Sequence, residues 1–440
     1  MFLILSQNYL TRGFWGDEAW TSLISQLPYA QMIKATAADT HPPAYYTVVG
    51  LIYKFLPSTE VVTRSVSIFF YLATAFLVYK LASEFKSHVF GLLSTVVVLV
   101  NPIFFTYAFE ARSYVMLAFA ATGSIYFLIR LSKKFNLGSV FYFLFFSTLG
   151  LYTHHYMIFT LAAQALYLIL FDRKILFKII TLYIIVAILY LPWIPILISQ
   201  LDFSRSVLDW IPPVTVRTFL ETVSTIIGGH SMMYQPLLTI LSTTILLIGL
   251  AQCAFKKPFE KPYLLIGLWA TVPFILAALP GLTVEGVKLP FSTIFYHRYL
   301  IPMAVPISML LVYISLRYSK SLLLLPFAAI IILSTAANFA TFHQYPKTFK
   351  QIYVAEIVPN IKPADKIVTV SGSFAEVVYY RDKNNLKNGV FVLPESLKQN
   401  PDKRLLGAYV ENGVVEIGES PVGRYFELGP GPSLEIKVKK

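Results

Sequence analysis

Charge is scarce in this chain and cysteine almost absent. Asp, Glu, Lys and Arg make up 13% of its 440 residues against 56% apolar side chains, with a mean hydropathy of +0.64. That balance excludes a soluble globular domain, which needs more polar surface to face water. The lone cysteine, Cys253, excludes an intramolecular disulfide and a thiolate metal site, and reads as a small apolar residue in a helix. There is no glycine-rich phosphate loop and no nucleophile elbow. No internal repeat signals the inverted halves of many transporters. The opening MFLILSQNYL lacks the basic flank and small-residue cleavage site of a signal peptide and is too short to span a bilayer. A spanning helix upstream of it is therefore expected to be missing.

Long apolar runs are plentiful. Stretches of about 17 to 25 residues, each able to cross about 30 Å of hydrocarbon as a helix, recur along most of the chain. Spans are expected at 62–82, 88–108, 113–131, 137–153, 155–171, 175–198, 234–254, 262–279, 298–316 and 321–340. With the absent upstream helix the count would be eleven. The net charge of +13 could suggest nucleic acid. Its basic clusters, however, fall in every second gap: Lys80 with Lys86, Arg130 with Lys133 and Lys134, Arg173 with Lys174 and Lys178, Lys256 with Lys257 and Lys261, and Arg317 with Lys320. Basic residues in alternate short loops mark the cytoplasmic side, so the charge reads as topology and no nucleic-acid partner is expected. The other gaps, FEARSY, YTHHYM, 199–233 and VEGVKLPFSTIFYHR, then face outward. Ala44 to Pro57 is apolar but too short to span and carries Lys54; counting it as a span would invert every later assignment. It is expected to be an interfacial helix.

The expected architecture is an all-α polytopic membrane protein of about ten to eleven helices. Residues 1–63 form a large first outer loop with juxtamembrane helices, 64–340 the membrane core, and 341–440 a small extracytoplasmic α/β domain. In that last segment DKIVTVSG, GVFVLP, GVVEIG and SLEIKVKK read as strands and SFAEVVYYR as a helix, while GPGPS is a turn signal. Shielding the site or steering an acceptor is the role expected of it.

Ionisable groups near a bilayer are costly and need a partner, water or a task. On the expected outer side lie Asp17, Glu18, His41, Arg64, Glu110, Arg112, His154, His155, His297 and Arg298, nearly all beside aromatic residues. Singly, each has a plain explanation. An arginine at a helix end, such as Arg64, snorkels to headgroups, histidines join the interfacial belt, and Glu110 and Arg112 pair with each other or with a neighbouring loop. Asp17, between Gly16 and the Glu18–Trp20 stretch, gains little from burial without a partner.

The motifs FWGDEAW, HPPAYY, RSVS, NPIFFTYAFEARSYVML, YTHHY and FYHRYLIPMAVP, in that order, resemble the C-type glycosyltransferase superfamily. The resemblance is to the bacterial branch that looks like protein O-mannosyltransferases and the lipid A aminoarabinose transferase. It covers about Gly13 to Ala340 and implies transfer of a mannose- or arabinose-like sugar from a polyprenyl-phosphate donor to a protein, lipid or polysaccharide acceptor. The implied address is a bacterial inner membrane, with the site and C-terminus extracytoplasmic.

Phosphate is a good leaving group, so such a reaction lacks only an activated acceptor hydroxyl. One carboxylate acting as general base would invert the anomeric carbon. Carried over from the family's first acid, Asp17 is the expected base, with Glu18 orienting the loop or contacting the acceptor and Glu110 the acid of the second outer loop. His41, Arg112, His154 and Arg298 are expected at the donor phosphate or lipid. Tyr114, Tyr156 and Tyr299 are expected to contact sugar or acceptor. Asp17 and Glu110 with His154 or His155 could hold a divalent ion, but the resembled branch works without one, and no cofactor is expected. The alternatives are a transporter, which calls for ionisable groups at mid-membrane, and a non-catalytic lipid-binding or assembly protein.

Overall fold

The computed structural model describes residues 8–207, 211–255, 258–284, 287–288, 293–318, 323–344, 347–396, 407, 409–410 and 415–439. Residues 1–7 and part of the VEGVKLPFSTIFYHR gap lie outside them. Three short helices come first: α1 (Gly16–Gln26), α2 (Tyr29–Ala37) and α3 (Ala44–Tyr53). The amphipathic stretch expected as one segment is two helices, because Pro28 ends α1 and opens α2.

The bundle follows. It comprises α4 (Glu60–Phe85), α5 (His88–Val100), α6 (Pro102–Ala108), α7 (Tyr114–Lys133), α8 (Leu137–Thr153), α9 (Met157–Phe171), α10 (Arg173–Tyr190), α11 (Ile194–Val207), α12 (Val216–Gly228), α13 (Gln235–Phe255) and α14 (Lys261–Ala278). A small β1–β2 hairpin (Thr283–Val284, Val287–Lys288), α15 (His297–Leu300), α16 (Ala304–Tyr318) and α17 (Leu324–Phe342) complete it. Polar side chains start several helices: Thr59 accepts from the Val62 amide, Ser87 from Phe90 and Asn136 from Ser139.

Each of the ten segments expected to span is mainly helical over its described residues. Among the described residues seven helices are long and apolar enough to cross a membrane, and α8 and α9 are shorter apolar helices of 17 and 15 residues. One expectation is corrected: 88–108 is not a single straight helix. It bends by 68° between α5 and α6, which would make an eighth span. Pro102 has no amide to continue the ladder, and the Asn101 side chain caps the new helix at the Phe104 amide. The outer helices expose apolar faces, such as Ile180, Ile184 and Ile188 on α10 and Ile240, Leu247 and Leu250 on α13, as lipid contact requires. Inside the bundle a neutral chain runs from Tyr183 through Gln164 and Ser124 to Ser147, with bonds of 3.2, 2.9 and 2.9 Å.

After α18 (Phe349–Ile352) and a π-helical turn (Tyr353–Ile357), the C-terminal domain folds around five strands in the order β5-β4-β3-β6-β7. These are β3 (Lys366–Thr369), β4 (Val390–Val392), β5 (Val415–Ile417), β6 (Gly423–Leu428) and β7 (Leu434–Lys439). All pairs are parallel except β6–β7, and α19 (Phe374–Lys383) crosses between β3 and β4. The four strands and the helix read from sequence are present. β6 was not among them, although it pairs with the central strand β3, because GRYFEL carries charges at both ends of a short apolar core.

The first loop and this domain share one hydrophobic core. Phe14, Ala19, Leu23 and Ile24 pack with Tyr353, Phe374, Val377, Val378, Tyr379 and Tyr380, separately from the core of the bundle. Sequence boundaries at 63 and 341 therefore divide a single packed layer.

Candidate active site

The acidic pair sits in the first turn of α1, where consecutive side chains point about 100° apart and meet different surroundings. Glu18 is fully buried. Its Oε1 accepts from Arg64 Nε at 2.8 Å and from the Ala111 amide at 3.0 Å, and its Oε2 from Arg64 Nη2 at 2.6 Å. Burial pushes this carboxyl up, but the Arg64 charge and hydrogen bonds bring it below the ordinary carboxylate value. Arg64, on α4, also donates to the carbonyls of Leu10, Arg12 and Gly13 at 2.8, 2.7 and 3.2 Å. It has no solvent exposure, so it does not snorkel to headgroups: the Glu18 carboxylate and three loop carbonyls take every direction of its guanidinium.

Asp17 retains 37% of its side-chain exposure and faces two guanidinium groups. Arg298 Nη1 lies 3.1 Å from its Oδ2, and Arg112 Nε lies 3.8 Å from the same oxygen. Arg298, on α15, is flanked by the rings of Trp15 at 5.0 Å and Tyr296 at 5.3 Å. Arg112 lies between α6 and α7 and donates toward the Asp17 carbonyl at 3.4 Å. Its Nη2 is 3.4 Å from His41 Nε2, while His41 Nδ1 faces Thr40 Oγ1 at 3.1 Å and Asp39 Oδ2 at 3.6 Å. That arrangement fits a proton on Nδ1 with Nε2 accepting from Arg112.

Glu110 is buried and, of its two expected pairings, makes the one with a neighbouring loop and not the one with Arg112. Its partner is Arg12, 3.6 Å away, which also approaches Glu18 at 3.9 Å and lies over the Tyr9 ring at 3.6 Å. The chain turns between Glu110 and Arg112, so the two side chains leave in different directions. Glu110 Oε2 has no hydrogen-bond partner among the described residues, and burial pushes the carboxyl up to about 7.

Beyond His41 the aromatic candidates form one wall. The ring centroid of His154 is 5.3 Å from His41, 5.1 Å from Tyr156 and 5.4 Å from Tyr299; Tyr114 stands 6.2 Å from Tyr299. His154 Nδ1 accepts from the Tyr156 amide, its Nε2 is buried without a partner, and burial holds the ring well below the ordinary histidine value. A cavity of about 250 Å3 opens beside this wall, lined also by Phe159, Leu197, Leu201 and Ile294. His155 lines it too, 3.1 Å from Gln200 Oε1 and 3.3 Å from the Tyr190 hydroxyl; burial lowers its ring to about 4. His297 stands apart, its ring 4.9 Å from His230.

The site thus brings together Asp17, His41, Arg112, His154, Tyr114, Tyr156, Tyr299 and Arg298, drawn from five separate stretches of chain. Glu18 and Glu110 lie behind it. No group of three or more His, Cys, Asp or Glu among the described residues has the geometry to hold a metal ion. Sequence reading missed Arg12, for which its place five residues before Asp17 was the available signal. It also missed Glu376 of α19, which no motif marks.

No curated protein sequence matches the chain. Residues 40–198 match the family of dolichyl-phosphate-mannose-protein mannosyltransferases. The fold is similar to that of ArnT from Cupriavidus metallidurans bound to undecaprenyl phosphate, at a TM-score of 0.64 and 12% identity, covering 95% of this chain and 90% of that one. It is also similar to the oligosaccharyltransferase AglB from Archaeoglobus fulgidus in complex with an inhibitory peptide and a dolichol-phosphate, at a TM-score of 0.54 and 12% identity, over 96% and 66% of the two chains. The chain is therefore a multi-pass membrane protein whose fold is similar to that of ArnT, and over residues 40–198 it resembles the protein mannosyltransferases.

Proposed function

We propose that this protein is a membrane glycosyltransferase that moves a mannose- or arabinose-like sugar from a polyprenyl-phosphate donor to an acceptor hydroxyl on a protein, lipid or polysaccharide. The observation that carries the reading is the Asp17 carboxylate: it is the exposed member of the acidic pair and stands between Arg298 and Arg112. Structures of similar fold, ArnT bound to undecaprenyl phosphate and AglB in complex with a dolichol-phosphate, support the donor class.

In this reading Asp17 is the general base. It takes the proton of the acceptor hydroxyl while that oxygen attacks the anomeric carbon, and the bond from that carbon to the phosphate oxygen breaks with inversion. The polyprenyl phosphate leaves with the bonding electrons. Arg298 and Arg112 hold the phosphate as its charge grows, and His41 orients Arg112. His154, Tyr114, Tyr156 and Tyr299 bound the space for the sugar. Glu18 positions α1 through Arg64 and does not touch substrate. Glu110 sets the charge behind the site.

The site faces away from the cytoplasm. Arg64 and Glu84 lie about 30 Å apart along α4 at 1.5 Å per residue, the thickness of the hydrocarbon layer. Glu84 pairs with Arg130 and Lys133 at the basic end, so the Asp17 end is the opposite one. A transporter would place ionisable groups at mid-bundle, where the Tyr183–Gln164–Ser124–Ser147 chain is neutral. The test is the purified protein in liposomes with radiolabelled undecaprenyl-phosphate mannose and undecaprenyl-phosphate arabinose. Release of label from the lipid supports the reading, and turnover of neither donor removes it.

A further inference from the structure

The mechanism makes no use of the buried acid Glu376. Glu376 lies in the first turn of α19, in the C-terminal domain, and is 7% exposed. Its carboxyl lies close to Gly16, the first residue of α1, and its Oε2 is buried with no hydrogen-bond partner among the described residues. A carbon added at the Cβ position of Gly16 would lie 3.6 Å from Oε1 and 3.7 Å from Oε2. Helix α1 needs a group there. Its N-cap residue is Trp15, whose side chain makes no capping bond; the Glu18 and Ala19 amides donate to the Trp15 carbonyl at 2.8 and 3.0 Å, which leaves the Gly16 and Asp17 amides without an acceptor among the described residues. The Gly16 amide favours the charged form of Glu376, as an amide at a helix start does for a facing carboxylate, and Asp17, the next residue, opposes it.

Other contacts from the same domain hold the preceding residues. Lys350 Nζ donates to the Thr11 carbonyl at 2.9 Å, Thr348 packs against Gly13, and the Phe14 amide donates to the Tyr380 hydroxyl at 2.6 Å. Tyr380 in turn donates to Glu60 at 3.1 Å, and Lys350 and Lys383 pair with the same carboxylate. Residues 11–16 are thus gripped from the membrane side by Arg64 and from the opposite side by the C-terminal domain. Glu376 is the last contact in that series and the one adjoining Asp17.

We propose that Glu376 is a positioning residue for sugar transfer: a carboxyl supplied by the C-terminal domain caps the helix that carries Asp17 and fixes the direction of that side chain. The proposal rests on the transfer reading given above and extends it, because it makes the C-terminal domain part of the scaffold of the site. Burial pushes the Glu376 carboxyl up to about 8, so near neutrality it is mainly uncharged and glutamine reproduces its shape, its acceptor oxygen and its charge state. Leucine keeps the volume and removes the acceptor.

Full-length wild type, Glu376→Gln and Glu376→Leu are compared with radiolabelled undecaprenyl-phosphate mannose and arabinose. For Glu376→Leu the expected result is a fall in kcat of about tenfold with the donor KM within about twofold. Its thermal stability should be unchanged or higher, since a buried acid has become apolar. Glu376→Gln should recover most of kcat. Wild-type kcat in Glu376→Leu, a loss confined to KM, or a glutamine variant as slow as the leucine one would overturn the proposal. Amide hydrogen exchange over residues 15–20 gives a readout without turnover, so a donor panel that fails in the wild type removes the transfer reading and leaves this test standing. Exchange should quicken in Glu376→Leu and return to the wild-type rate in Glu376→Gln; unchanged protection in Glu376→Leu would refute the cap. If Glu376→Leu does not fold, Glu376→Ala takes its place in both comparisons.

Discussion

The Glu18 carboxylate receives two hydrogen bonds from Arg64, at 2.8 and 2.6 Å, and neither side chain has any solvent exposure. One residue earlier, Asp17 is open to the site. The two acids of the motif therefore meet different surroundings, one tying α1 to α4 and the other facing the guanidinium groups of Arg298 and Arg112.

Removing either partner of the buried pair strands the other. Glu18→Ala is expected to cost about 3–5 kcal/mol, read as thermal unfolding in detergent. A double Glu18→Leu, Arg64→Met variant should recover only part of this, because the carbonyls of Leu10, Arg12 and Gly13 also lose their donor. The pH dependence follows from the lowered Glu18 carboxyl. Its contribution is complete above the unfolded value of 4.5 and is lost as pH falls through the lower folded one. Full recovery in the double variant would mean that Arg64 does not hold the loop.

Glu110 carries the opposite sign. Titrating at about 7 in the fold and 4.5 unfolded, it holds its proton in the folded state where the unfolded chain has lost it. Stability therefore falls as pH rises from about 4.5 to 7, by about 3 kcal/mol. Glu110→Gln should flatten that part of the stability–pH curve and leave the protein more stable than wild type at pH 8. A curve of unchanged slope would show that Glu110 ionises as an ordinary carboxylate.

Arg298 donates to Asp17 Oδ2 at 3.1 Å, and in the proposed reaction it also meets the donor phosphate. Arg298→Gln should lower kcat/KM for the lipid-linked sugar by about 100-fold, the scale of one lost charge-stabilising donor. Arg298→Lys should recover little, because an ammonium lacks the planar fork. Near wild-type turnover in the glutamine variant would remove Arg298 from the phosphate site.

The shared core predicts that the C-terminal domain is not a removable appendage. Ending the chain at residue 343 would expose Phe14, Leu23 and Ile24 and leave Glu60 without Lys350 and Lys383. Limited proteolysis of the truncated protein should cut rapidly within residues 11–40, where the full chain resists. Equal resistance in both would show that the first loop folds without the domain.

The helices were legible in the sequence because lipid demands long apolar runs, and the polar residues at their ends stood out against them. Asp17, His41, Arg112, His154 and Arg298 could be picked as a group for that reason, and they meet. Their pairings could not be read. Arg64 resembled a headgroup anchor until its distance to Glu18 was known, and Glu110 sits beside Arg112 in sequence yet pairs with Arg12 across the fold. The bend at Asn101 was announced by Asn-Pro, but the apolar run on either side masked it. Glu376 left no trace at all, since a buried acid in a charged, soluble-looking segment has the same composition as a solvated one.

The central claim is that Asp17 removes the acceptor proton. The direct measurement is single-turnover transfer from radiolabelled undecaprenyl-phosphate sugar by purified wild type and Asp17→Asn, with thermal unfolding recorded on the same preparations. The account predicts a chemical step slowed by about 100- to 10,000-fold in a variant that remains folded and still binds the lipid donor. Transfer by Asp17→Asn at close to the wild-type rate would contradict it.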